Sequence, residues 1–165
     1  MSEKRASTDA IAILKADHDK VTKLFEDFER LHEDEADEEA EQVAIQICNE
    51  LTVHATVEEE IFYPEVREAI DDEDLLDEAE VEHATAKDLI AQILEMATAD
   101  DKYAAKVIVL GEYIAHHVKE EQEEMFPKAR KTDLDMKELG ARILERKKAL
   151  RAEMQLEDEV VEGTG

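Results

Sequence analysis

Two near copies of one stretch constrain this chain more than any other feature: His54-Ala-Thr-Val-Glu58-Glu-Glu-Ile-Phe-Tyr-Pro64 and His117-Val-Lys-Glu-Glu121-Gln-Glu-Glu-Met-Phe-Pro127. In each, a Glu follows the His by four positions and a Pro follows it by ten. On a helix, residues four apart lie on one face, one turn above the other, so each copy presents imidazole and carboxylate together. Upstream of each copy lies a further histidine, His18 before His54 and His83 before His117. The set reads as two halves of one polar cluster.

The surrounding sequence is helix-forming. Aromatic residues are 4% of the 165, and Gly and Pro number only 4 and 2, while Ala, Leu, Glu, Lys and Asp dominate. A chain of this length fits one domain, which would bury roughly 70% of its unfolded surface. The expected fold is all-α. A net charge of -26 opposes binding to nucleic acid or to an anionic membrane surface. The start of the chain lacks an apolar signal segment, and no run approaches the roughly 20 apolar residues of a membrane span. The single Cys48 excludes an internal disulfide framework, which fits a reducing compartment, so cytoplasm is the expected location.

Apolar spacing of three and four predicts four long helices. Ser7, Thr8 and Asp9 offer caps to the first, over about residues 9–32, with an inner stripe of Ile11, Leu14, His18, Val21, Phe25 and Phe28. The second carries Val43, Ile47, Leu51, His54, Glu58 and Ile61, until Pro64 kinks or ends it. A third carries Leu76, Ala79, His83, Ala86, Ile90, Ile93 and Ala97. The fourth opens near Asp100 or Asp101, carries Tyr103, Val107, Leu110, Ile114, His117, Glu121 and Met125, and closes at Pro127. Short loops make this an up-down-up-down four-helix bundle over residues 9–130. Residues 1–8 form an extension, and residues 131–155 hold a short additional C-terminal helix, from Leu134 to about Met154, packed at one end. Residues 156–165 form a tail too poor in apolar residues to order.

One histidine on an apolar stripe is ordinarily a neutral, hydrogen-bonded imidazole. Here all four stripes carry one, and two add a glutamate. Burying a carboxylate without compensation costs several kcal/mol, and the four inward stripes contain no Lys or Arg. A metal cation would supply the missing charge, and imidazole with carboxylate suits iron, manganese or zinc. Six side chains are enough for two ions. Of about twelve coordination positions, four imidazoles, two bridging carboxylates and a shared oxygen would leave about one open on each ion.

The order His18, His54-x-x-x-Glu58, His83, His117-x-x-x-Glu121, with the EEEIFYP and HHVKEEQEEMFP stretches, resembles the hemerythrin-like, or HHE cation-binding, domain family over about residues 9–130. The resemblance implies a cofactor of two iron ions, a non-haem di-iron centre with an oxo or hydroxo bridge. His18, His54, His83 and His117 would be its terminal ligands, and Glu58 and Glu121 its bridges. Oxygen carriers of this family have a further His where this chain has Lys87, and end with Asp five residues after the last His, where this chain has Glu121 at four. The chain is more similar to the four-His, two-Glu members. That implies binding or reduction of a small oxidant, peroxide or dioxygen, in preference to reversible storage. The alternatives are a nitric-oxide response, iron-centre repair, or a non-enzymatic sensor or iron-binding module with an unidentified protein partner.

Other residues carry two readings each. Lys87 is either a donor toward a bound oxidant or a lysine extended to solvent. His116 and Glu120 compete with His117 and Glu121, but the Pro at plus ten aligns His117 with His54 and leaves His116 outside. Glu59 and Glu120 read as solvated-face residues in preference to alternative or shifting carboxylates of the centre, and Tyr113 as a half-buried tyrosine or a donor to the centre. His32 is expected at a helix end, and Cys48 as core filler.

Overall fold

A computed structural model describes residues 9–97 and 99–157; the predicted extension at 1–8 and the tail from 158 onward lie outside the described residues. Asp9 caps α1, Ala10–Glu33, by accepting from the Ala12 N–H at 2.8 Å. The helix stops with Glu35 at φ 57° while the Ala36 N–H reaches back to the Leu31 carbonyl, a left-handed closure that satisfies a terminal acceptor. α2 follows as Asp37–Val57. After the second connection come α4, Glu73–Glu95, and α5, Tyr103–Glu120. Contacts run from α1 to α2, α2 to α4, α4 to α5 and α5 back to α1, closing a four-cornered bundle.

Of the two outcomes expected at Pro64, a kink or an end, the end does not occur, and Pro127 does not close its helix. Past α2 the chain makes a π turn, Glu58–Phe62, and continues as α3, Tyr63–Ala69; past α5 a second π turn, Glu121–Met125, leads into α6, Phe126–Arg130. Tyr63 donates its N–H to Glu58 O, and Phe126 does the same to Glu121 O, one residue further back than an α-helix allows. The wider turn separates the proline ring from the carbonyl four residues before it, and each Pro then sits in a first turn where a missing N–H does no harm. Both copies place the π turn directly on the glutamate.

α7, Met136–Glu153, is capped by Asp135. It does not cover one end of the bundle. Its cations Arg142, Arg146 and Arg151 pair with Glu65, Glu60 and Glu50 in that order, so it runs antiparallel along the side formed by α1 and α2. Leu139, Ile143 and Leu150 seal that side. The charge pattern decides this seat, since α7 carries the basic face that the acidic bundle lacks.

The apolar core is split in two. One cluster, with Ile11, Leu14, Phe62, Tyr63, Leu76 and Phe126, lies at the π-turn end. The other, with Val21, Phe28, Ile47, Leu51, Ile90, Val107 and Leu110, fills the opposite end. In the latter Phe25 lies against Gly111, where a Cβ would come within 2.9 Å of its ring. The polar residues form the layer between the clusters. No helix among the described residues is long and apolar enough to cross a membrane.

Candidate metal centre

The structure brings all six of the sequence-predicted residues together in that layer. Each is at most 7% exposed, and the two glutamates are at 0 and 1%. His18 and His54 have ring centroids 5.0 Å apart, His83 and His117 4.9 Å, so the halves match as the repeat anticipates. Donor atoms fall into two sets, His18, His54, Glu58 and Glu121 in one, and Glu58, His83, His117 and Glu121 in the other.

Each glutamate divides its oxygens between the sets. Glu58 turns Oε2 to His54 Nε2 at 3.2 Å and Oε1 to His83 Nε2 at 3.0 Å. Glu121 turns Oε1 to His18 Nε2 at 3.1 Å and Oε2 to His117 Nε2 at 3.2 Å. Ligand atoms about 2.1 Å from a shared ion sit about 3.0 Å apart on an octahedron and about 3.4 Å on a tetrahedron, and the observed spacings fall in that range. In the first set, His18 Nε2, His54 Nε2, Glu58 Oε2 and Glu121 Oε1 are buried without hydrogen bonds among the described residues. Four inward, unsatisfied acceptors and imidazoles fit a cation.

The second set converges on Tyr63. Its hydroxyl lies 3.1 Å from Glu58 Oε1, 3.1 Å from His83 Nε2 and 3.2 Å from His117 Nε2, and donates to Glu121 Oε2. Burial and the two carboxylates push this phenol well above its ordinary pKa. Tyr113, the tyrosine singled out in the sequence, instead lines a cavity on the far side of the histidines.

Every histidine aims Nε2 inward because Nδ1 is held from outside, and the holders form a ring. Asp17 on α1 takes His54 Nδ1 at 2.8 Å; Glu59, beside Glu58, takes His83 Nδ1 at 2.7 Å. Glu82 on α4 takes His117 Nδ1 at 2.6 Å, and Gln122, beside Glu121, meets His18 Nδ1 at 2.9 Å. Each holder adjoins a ligand candidate of its own helix and braces the histidine of the next, which orients the rings; the three carboxylates also raise the basicity of His54, His83 and His117, while the Gln122 amide positions His18. The sequence reading assigned Glu59 to the solvated face and missed Asp17, Glu82, Gln122 and Tyr63; a polar residue flanking each of the four inward residues was the available signal. Lys87 binds Glu59 Oε1 at 2.6 Å, so its ammonium supports the His83 brace. His116 stays outside with an exposed imidazole, and His32 lies in the last turn of α1, stacked on Phe28. Cys48 is buried in the apolar core, which pushes its thiol up to about 12.

Charge in the layer sets a pH dependence. Burial draws the His117 pKa down, but Glu121, Glu82 and Glu58 outweigh it and lift it to about 10. Stripped of metal, the protein holds that proton more tightly folded than unfolded. Its contribution is complete below the unfolded value of about 6.5 and disappears as pH rises toward 10. Metal binding needs the neutral ring and so releases the proton. The stripped protein is therefore expected to lose urea resistance between pH 6.5 and 10, while divalent-metal affinity rises over the same range. Titrations at several pH values check both.

A family model described as the hemerythrin HHE cation binding domain matches residues 9–129. Among solved structures, the chain superposes with a TM-score of 0.73 on a hemerythrin HHE cation binding domain-containing protein from Mycobacterium kansasii, 19% identical, over 89% of this chain and 90% of that one. It is also 28% identical over 117 residues to a DNA nickase from Nostoc sp.. That match covers 69% of this chain and 31% of the nickase, so the chain spans about a third of that relative's length.

Proposed function

The chain belongs to the hemerythrin HHE cation-binding family, and from that premise we propose that it holds two iron ions and binds or reduces a small oxidant, peroxide or dioxygen. His18 and His54 would hold one ion and His83 and His117 the other, with Glu58 and Glu121 shared. Iron held there would supply electrons and an open coordination position for the oxidant.

The observation that carries the reading is a cavity of about 30 Å³ on the side of the histidines away from Tyr63. All four histidines form its floor, Val21, Leu51, Ala86, Ile90 and Ile114 its walls, and Lys87 and Tyr113 also line it. A water needs at least about 10–15 Å³ on this measure, so the space suits a diatomic molecule or peroxide. Below it Tyr63 keeps a proton within reach of both glutamates.

Metal analysis should find about two irons per chain, with rapid loss of added peroxide. Ala86→Leu narrows the cavity without replacing a ligand candidate. It is expected to keep the iron and slow peroxide loss by about tenfold or more, within the range a misplaced reactant costs. Unchanged peroxide loss at full iron content would reject the cavity as the oxidant site. Faster reaction with nitric oxide than with peroxide would favour the nitric-oxide alternative.

A further inference from the structure

Outside the buried layer, α4 and α5 bring together a second kind of cluster. Glu82 comes from α4, and His116 and Glu120 come from one turn of α5; their donor atoms lie within 4.8 Å of one another. His116 Nε2 is 3.3 Å from Glu120 Oε2 and 3.8 Å from Glu82 Oε2. We propose that Glu82, His116 and Glu120 form a separate divalent-cation site on the bundle surface, from which ions pass to the buried centre.

Three features carry this beyond a group of surface acids. The first is the donor set: one imidazole and two carboxylates select borderline ions such as Fe²⁺ or Zn²⁺ over Mg²⁺ or Ca²⁺, which take oxygen ligands. The 3.3 Å spacing to Glu120 falls within the ligand–ligand separations of one bound ion, about 3.0 to 3.4 Å, and the 3.8 Å spacing to Glu82 lies above them. The second is that Glu82 and Glu120 each turn a carboxylate oxygen toward the exposed imidazole of His116; a cation there would offset the two like charges.

The third is position. Glu82 spends its other oxygen on His117 Nδ1, at 2.6 Å, so one carboxylate touches both the surface site and a histidine of the buried layer. Next to it Asp74, Asp77, Glu78, Val81 and Glu82 line a shallow surface groove along α4. A cleft lined by one sign of charge concentrates counter-ions and raises their on-rates by about 10-fold or more. The groove would collect cations and deliver them to His116. The delivery half rests on the two-iron reading; the surface site does not.

The test uses the full chain, with Mg²⁺ in excess to occupy carboxylate-only positions. Iron-loaded protein should bind one further Zn²⁺ by calorimetry, and His116→Ala and Glu120→Gln should each lose it. In anaerobic Fe²⁺ loading of stripped protein, the same variants should fill about tenfold more slowly yet reach the same final iron content. Equal Zn²⁺ binding in wild type and both variants would overturn the surface site. Loss of Zn²⁺ with unchanged loading would overturn the delivery role. A chain that takes up no iron defeats the two-iron reading, and the Zn²⁺ comparison still decides the surface site.

Discussion

Glu58→Ala is expected to empty both halves of the centre, taking iron from about two per chain to near none after dialysis against a mild chelator. The reason is the division of its oxygens, Oε2 toward His54 and Oε1 toward His83, which would make one side chain a donor to both ions of the proposed pair. Removing a residue that merely supports a metal ligand typically costs 10- to 100-fold in affinity, so loss of a shared donor should cost more than about 100-fold at each ion. Glu59→Ala, which releases only the His83 Nδ1, should stay within that smaller range and act on one ion. Circular dichroism and metal analysis on the same samples separate loss of metal from loss of fold. A folded Glu58→Ala protein that keeps two irons would defeat the shared-carboxylate assignment.

The second large effect is expected at Lys147. Its ammonium is 5% exposed and meets Asp17 Oδ1 at 2.6 Å, while Asp17 Oδ2 holds His54 Nδ1 at 2.8 Å. Lys147→Met leaves a buried carboxylate without its cation, a change of about 3 kcal/mol or more. Burial raises the Asp17 pKa, but His54 and Lys147 overcome this and bring it to about 2. A carboxyl depressed in this way stabilises the fold above its unfolded value of about 3.9, and the contribution is lost as pH falls toward 2. The variant should therefore unfold at lower urea at pH 7 and begin acid unfolding at higher pH. Adding Asp17→Asn should recover much of the loss, because the orphaned charge goes with it. Failure of that rescue would mean that the loss does not come from the Asp17 charge left behind.

α7 enters the site argument only through this contact. The predicted C-terminal helix, placed at one end of the bundle, in fact lies along α1 and α2 and inserts a cation one residue behind His54. Periodicity marks an amphipathic helix but not the element it packs against. A lysine on a polar face also reads as solvated until a buried aspartate is found opposite it. The prolines show the same limit. A rule for the α-helix kinks or ends the helix at Pro64 and closes it at Pro127, whereas a π turn changes the register and lets both helices continue. That turn precedes Tyr63, whose hydroxyl reaches four donor atoms of the second set. Tyr63 was therefore passed over for Tyr113, which lines the cavity.

The amino-acid sequence by itself determined the helical class and the six inward residues, because the 3.6-residue period turns His-x-x-x-Glu into one face of a helix. The aligned Pro chose His117 over His116 by the same linear logic. Only the tertiary structure decided how each carboxylate splits its oxygens, which neighbour braces each imidazole, where the small cavity opens, and that Lys147 stands behind His54. Those are distances between different helices. They follow from how the helices are rotated and seated against one another, and spacing along a single helix carries no information about that.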